Sequence, residues 1–203
     1  MSSFFLISVL AYLLGSISFD YFLVKIIKGI DIRETGSGNP GATNTKRILG
    51  WPGLIGAYIL DALKGAVPVW LAWHVFNFPV WQVTIVGVMA ITGHILSIFL
   101  KFKGGKGVST IMGVFWVLNP IIGAAALSAW LFQYLRTGYS SLGSLTVAIV
   151  IPVVQIGKQI IDPAPRLVDS LPVTIFSLVI LVLIRYSHKD NIERLKMGTE
   201  KKA

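Results

Sequence analysis

Two short stretches carry the residue types suited to holding phosphate. The first is Gly36-Ser37-Gly38-Asn39-Pro40-Gly41-Ala42-Thr43-Asn44, with Arg47 one turn on. The second is Phe102-Lys103-Gly104-Gly105-Lys106-Gly107-Val108-Ser109-Thr110. Glycine-rich loops expose backbone N–H groups and let a ligand come close to the main chain, and neighbouring Lys or Arg adds fixed positive charge. In the first loop Gly36, Gly38 and Gly41 supply that freedom, while Ser37, Asn39, Thr43 and Asn44 supply neutral hydrogen bonds. Arg47 can grip a phosphate or carboxylate as a planar fork. The same loop is equally compatible with a plain turn and N-cap, Thr43 or Asn44 starting a short helix. The second loop is sharper, because Lys103-Gly104-Gly105-Lys106-Gly107 runs straight into an apolar helix start at Val108. It is not a Walker A loop, which needs Ser or Thr after Gly-Lys where Gly107 stands here. Lys101 and Lys103 also suit anionic headgroups. Lys106, enclosed by glycines, is the better ligand contact.

Other polar residues stand in or beside apolar sequence. Asp61 and Lys64 are three apart on one helix and can neutralise each other as a structural ion pair, or support a site from below. Asp20 is similarly placed, with no partner evident. His94 fits a satisfied interior histidine as well as a ligand, and His74 marks a helix boundary. His188 and Asn191 are three apart at the start of the C-terminal tail and share a face if that stretch is helical. A solvated amphipathic helix end is the plainer reading there, with Lys189, Asp190 and Glu193 around them.

The elements that must position these residues are apolar. The chain has 203 residues, 54% of them hydrophobic and only 13% charged, with a mean hydropathy of +0.74. A soluble domain carries roughly 25% charge, so the chain reads as an integral membrane protein forming a single polytopic unit over 1–203. Apolar runs fall near 3–27, 53–76, 80–100, 107–118, 121–135, 141–161 and 171–187. A span needs about 20 residues. The two runs flanking Asn119-Pro120 are short and could form one kinked helix, so seven spans compete with six. With the N-terminus outside and seven spans, 15 of the 18 Lys and Arg fall inside, leaving Lys158 and Arg166 outside and Lys64 within the membrane. Six spans would put the basic tail outside, against the positive-inside rule. The expectation is an all-α bundle of seven transmembrane helices, N-terminus outside and C-terminus cytoplasmic. The first run lacks a basic leader region and a cleavage pattern, so it is expected to be a permanent helix.

Under this topology the polar clusters converge on one face: loop 28–52, loop 101–110, the turn Thr137-Gly138-Tyr139-Ser140-Ser141-Leu142-Gly143-Ser144, and the tail from Arg185. The chain has no cysteine, which removes thiol nucleophiles, disulfides and thiolate metal sites. No metal cluster and no cofactor motif are visible.

Taken together these residues resemble the bacterial acyl-phosphate:glycerol-3-phosphate acyltransferases (the PlsY family). The resemblance covers most of the chain: Leu14-Gly15-Ser16, Gly36 to Asn44 with Arg47, Leu63-Lys64-Gly65, Gly93-His94, Phe102 to Thr110, Tyr139 with Ser141 and Ser144, then Arg185, His188, Asn191-Ile192, Arg194-Leu195, Gly198 and Glu200. It implies seven helices, a site facing the cytoplasm of the bacterial inner membrane, and transfer of a fatty acyl group from acyl phosphate to the 1-hydroxyl of glycerol 3-phosphate. The products are lysophosphatidic acid and phosphate, opening phospholipid synthesis. It implies catalytic roles for Ser37, Arg47, Lys106, His188 and Asn191. It implies substrate-binding roles for Gly36, Gly38, Asn39, Gly41, Thr43, Asn44, Lys103, Gly104, Gly105, Gly107, Ser141 and Ser144. Cofactors and nucleic acid are not expected, membrane lipid is, and the chain is expected to act as a monomer. Ser18 and Asp20 depart from the family's usual Pro and Gly, outside the loops. Soluble glycerol-phosphate acyltransferases use a His with Asp five residues on; neither His94 nor His188 has one, which excludes that mechanism.

Acyl phosphate is already activated, so no covalent acyl intermediate is needed. The demand is to hold two repelling anions together. Either His188 or a substrate phosphate takes the hydroxyl proton, and the second is preferred. The competing class is a multi-span transporter of a phosphorylated metabolite or lipid, suggested by Asp20, Asp61 and Lys64. Transport predicts polar residues on both faces, whereas the outer loops (77–80, 119–120, 162–170) carry no glycine-rich motif.

Overall fold

The computed structural model describes residues 2–161 and 167–202; Arg166 and part of the expected outer loop 162–170 lie outside the described residues. The described residues form helices and loops, with no strand among them. The helices are α1 (Ser2–Ser16), α2 (Phe19–Lys28), α3 (Ala42–Trp70), α4 (Val80–Ile95), α5 (Val108–Leu118), α6 (Pro120–Thr137), α7 (Ser140–Ile161), α8 (Leu167–Ser187) and α9 (Lys189–Lys196).

Local chemistry sets the breaks. The first apolar run divides at Ile17-Ser18, because the Ser18 side chain accepts from the Tyr21 N–H and starts α2 afresh. Gly29 closes α2 in the left-handed region. α3 folds at Gly50 (φ 71°, ψ −159°), two residues before Pro52, so its first turns lie off the axis of the rest. Asn119 accepts from the Ile121 N–H, and Pro120 occupies the first position of α6. That cap settles the Asn119-Pro120 question locally: α5 and α6 are separate helices.

Five segments are long and apolar enough to cross a membrane by length and composition: Ser3–Lys28, Ala42–Val75, Val80–Leu100, Ser140–Ile161 and Ser170–Ser187. The chain is therefore a multi-pass membrane protein. The other two expected spans do not reach that standard by themselves. α5 has 11 residues, about 16 Å of helix against a hydrocarbon core of about 30 Å. The last turns of α6 are diluted by Gln133, Arg136 and Thr137.

Helix contacts are made through small residues. A side chain at Gly15 would run into the Ala90 backbone, and one at Gly93 into the Tyr12 carbonyl, so α1 and α4 meet backbone to backbone. Gly113 lies against the Ala62 carbonyl and Gly65 against Thr110, which clamps α5 to α3. Dispersion and close approach hold such contacts where lipid is as apolar as the interface. Phe115 on α5 stacks on Phe176 of α8 at 5.3 Å, amid buried Ile91, Ile111, Met112, Ile180 and Ile184. These contacts join α1, α3, α4, α5 and α8; α6 and α7 pack alongside, and one cavity is walled by residues of α3, α4, α5, α6 and α7.

Candidate active site

The first loop is built around one asparagine. Asn44 is buried; its Nδ2 donates to the Ile32 carbonyl (3.0 Å) and the Thr35 carbonyl (2.9 Å), and its Oδ1 accepts from the Ser37 N–H (3.0 Å). Gly36 and Gly38 have φ of 66° and 70°, and a Cβ at Gly36 would strike the Asn44 amide. Asn44 therefore shapes the loop that presents Ser37. Gly41 begins α3 with no side-chain cap, which leaves first-turn N–H groups without the usual side-chain acceptor. Thr43 shares a hydrogen bond with Ser140 at the start of α7 (2.6 Å).

The second loop is held by α4. Gly104 donates to the Ile95 carbonyl (3.0 Å) and Gly105 to the His94 carbonyl (3.1 Å). Gly107, at φ 82°, turns the chain into α5 and caps it without a side chain. Two helix N-termini, those of α3 and α5, thus open beside the same cavity of about 780 Å³. Such ends attract anions through free N–H groups and the helix dipole.

The tail completes the site. His188 separates α8 from α9 and is buried. Its Nδ1 lies 2.9 Å from the Ile184 carbonyl, which can only accept. The proton therefore sits on Nδ1, and Nε2 keeps its lone pair. Burial, with the Lys106 charge second, pushes the imidazole down to about 4, so it is neutral at pH 7. Lys106 donates to Asn191 Oδ1, and the Asn191 amide donates to Glu200 Oε1 (2.6 Å). Glu200 is also bound by Arg194 Nε at 2.7 Å. Burial would raise the Glu200 carboxyl, but the donors around it, Asn191 first, hold it below its ordinary value. Lys106 is lowered to about 8 by burial and then by the positive charge of Arg194. Arg47 Nη2 donates to the carbonyls of Lys201 (3.2 Å) and Lys202 (3.4 Å).

Ser37, Arg47, Lys106, His188 and Asn191 all line this one cavity, with Gly36, Gly38, Asn39, Gly41, Thr43, Asn44, Lys103, Gly104, Gly107, Ser141 and Ser144. Gly105 does not. It is packed behind the loop, where a Cβ would meet His94 Nε2 on one side and the Pro40 carbonyl, at 2.7 Å, on the other. Away from the polar end the lining turns apolar: Leu54, Ile55 and Tyr58 of α3, Met112 of α5, Leu127 and Trp130 of α6. Ile55 is 54% exposed and Leu131, beside Trp130, 42%, so this limb opens sideways out of the bundle.

The model of the glycerol-3-phosphate acyltransferase family matches residues 5–198. The chain belongs to this family. It is 42% identical to the glycerol-3-phosphate acyltransferase of Geotalea daltonii, over 94% of this chain and 92% of that one. It is 37% identical to that of Aquifex aeolicus, over 98% of both. Its structure is similar to crystal structures of PlsY (YgiH), an integral membrane glycerol 3-phosphate acyltransferase. The glycerol 3-phosphate form superposes with a TM-score of 0.87, at 36% identity, over 99% of this chain and 96% of that one. The lysophosphatidic acid form gives 0.85 at 36% identity, over 98% and 95%.

Within this family member, the fold gives places to several cavity residues whose roles sequence reasoning had left open. Glu200 and Arg194 belong to the resemblance, yet their pairing across the Gly198 turn is visible only in the fold. Asp61 and His94 reach the cavity wall from below. The apolar wall carried one usable signal, the α3 positions Trp51, Leu54, Ile55 and Tyr58 at helical spacing beyond Arg47.

Proposed function

We propose that this chain transfers a fatty acyl group from acyl phosphate to the 1-hydroxyl of glycerol 3-phosphate, releasing lysophosphatidic acid and inorganic phosphate. One observation carries the reading: a single cavity joins two uncapped helix N-termini, Arg47 and Lys106 to an apolar limb open at the side of the bundle. Anionic heads fit the first part, and an acyl tail fits the second.

The hydroxyl oxygen attacks the acyl carbonyl, the new ester C–O bond forms, and the bond from the acyl carbon to the phosphate oxygen breaks. The hydroxyl proton leaves on a phosphate oxygen. Burial and the Lys106 charge depress the imidazole, whereas a substrate phosphate oxygen brings a proton acceptor into the site itself. The substrate phosphate is therefore the better acceptor, and neutral His188, through Nε2, orients a hydroxyl or phosphate. Lys106, Arg47, Ser37, the α5 N-terminus and the first loop hold the two anionic groups between them and stabilise charge on the departing phosphate. Asn191 keeps Lys106 aimed into the cavity. Gly36, Gly38, Asn39, Gly41, Thr43, Asn44, Lys103, Gly104 and Gly107 form the binding loops, with the buried Ser141 and Ser144 in the wall. Gly105 acts by packing.

We further propose one polytopic unit crossing the bacterial inner membrane seven times, with α5 and α6 as the short spans. The N-terminus lies outside, and the site and C-terminus face the cytoplasm. Support comes from the basic residues at the cavity end of the helices and from the positive-inside rule. Purified protein in detergent, given acyl phosphate and glycerol 3-phosphate, should release phosphate one for one with lysophosphatidic acid. Phosphate release without lysolipid would end the reading.

A further inference from the structure

His94 has no part in that reaction, yet it is buried among charges beneath the second loop. Its Nδ1 lies 3.2 Å from Thr110 Oγ1 and 3.8 Å from Asp61 Oδ2. Asp61 Oδ1 is 2.8 Å from Lys64 Nζ, which also donates to the Ile17 carbonyl at 2.8 Å, in the break between α1 and α2. α3, α4 and α5 each supply one member: Asp61, His94, Thr110. Asp20, beside Asp61, accepts from Thr45 Oγ1 at 2.7 Å. Thr45 follows Asn44, the residue that shapes the first loop.

The second loop lies directly on this cluster. Gly104 and Gly105 hydrogen-bond to the carbonyls of Ile95 and His94. A Cβ on Gly104 would strike the His94 carbonyl, and one on Gly105 the imidazole Nε2. On its other side Gly105 faces the Pro40 carbonyl of the first loop. The loop is thus one backbone thick between the imidazole and its sister loop, and the next residue is Lys106. Tilting the ring would move Gly105, and with it the ammonium of Lys106 and the start of α5.

From this packing we propose that His94 is a positioning residue: oriented by Asp61 and Thr110, its ring sets the height of the Gly104–Gly107 loop and so places Lys106 against the phosphate of a substrate. The proposal rests on the reading of Lys106 as a substrate contact. Charged and polar groups within a membrane are costly and persist where they serve a site. Here three helices are tied by them at the level where an error of about 1 Å in the loop could cost about a hundredfold in rate.

Thr110 allows a clean test, because its two branches do different things. The hydroxyl faces His94, while the methyl packs against Gly65. Thr110→Val keeps the methyl and loses the hydroxyl; Thr110→Ser does the reverse. Steady-state kinetics are measured for each phosphate substrate at saturating partner. Thr110→Val should lower kcat/KM by about tenfold, through kcat at least as much as through KM, and Thr110→Ser should restore it. An unchanged kcat/KM in Thr110→Val, or a defect in Thr110→Ser as large as in Thr110→Val, overturns the proposal. If Thr110→Val does not yield folded protein, His94→Asn decides: a lowered kcat/KM at the parent melting temperature supports positioning, and an unchanged kcat/KM sinks it. Parent protein without lysolipid formation would instead refute the proposed reaction.

Discussion

Lys106 has the most exposed role in the proposed chemistry, since burial lowers it to about 8 while its work requires the charge. The ammonium is present below that pH and is lost as pH rises through it. In kcat/KM, which reports the free enzyme, the alkaline limb should therefore fall with a midpoint near pH 8. Saturating anionic substrate should push the limb in kcat to higher pH. A profile flat to pH 9.5 would show that the Lys106 ammonium is not lost near pH 8 in the free enzyme. Lys106→Ala should lower kcat/KM by at least about a hundredfold, the scale of losing one charge-stabilising donor. His188 behaves differently, because at about 4 it is already neutral. His188→Asn retains a donor for the Ile184 carbonyl. It should keep activity within about tenfold if a substrate phosphate takes the proton, whereas loss of an essential general base costs about a hundredfold or more. The ratio of parent to variant rate at pH 7 separates the two schemes.

Between elements the decisive contacts are small residues on α3, α4 and α5. Gly113 places α5 against the Ala62 carbonyl of α3, with no room for a Cβ. Gly113→Val should cost about 1–3 kcal/mol through overpacking. It would appear as a lower unfolding temperature in detergent, with loss of activity following loss of fold. The same contact aims the uncapped start of α5 at the cavity, so milder substitution with Ala should raise KM before it unfolds the protein. An unaltered melting temperature for Gly113→Val would mean that α5 can slide on α3.

For the molecule as a whole the open quantity is topology, and the cysteine-free chain makes it simple to measure. Single cysteines at Lys28 and Asn77 should react with a membrane-impermeant maleimide from opposite sides. Lys28→Cys should label only when the cytoplasmic face is accessible, and Asn77→Cys only from outside. Labelling of both from the same side would exclude an α3 that crosses the bilayer.

The convergence of the site was legible in part because charge and glycine are written into the chain one-dimensionally. Basic residues cluster between apolar runs, and membrane insertion favours gathering most of them on one side. Arg47, Lys106 and Asn191 therefore pointed to a shared face before any fold was known. Gly105 was less legible, since a glycine lining a ligand and one sparing a clash look alike in sequence. The break at Ile17-Ser18 was missed because a single capping serine interrupts hydrophobicity too briefly to mark a boundary.

Hydropathy and the basic loops by themselves determined that this is a multi-pass helical membrane protein, since that follows from transfer energies; the glycine motifs yielded phosphate chemistry through the family resemblance they carry. The tertiary structure alone decided which groups touch. Glu200 meets Asn191 and Arg194, Asp61 meets His94, and the apolar walls of α3, α5 and α6 face one another. Those pairings depend on how helices pack through small residues, a property of three-dimensional shape that no spacing along the chain encodes.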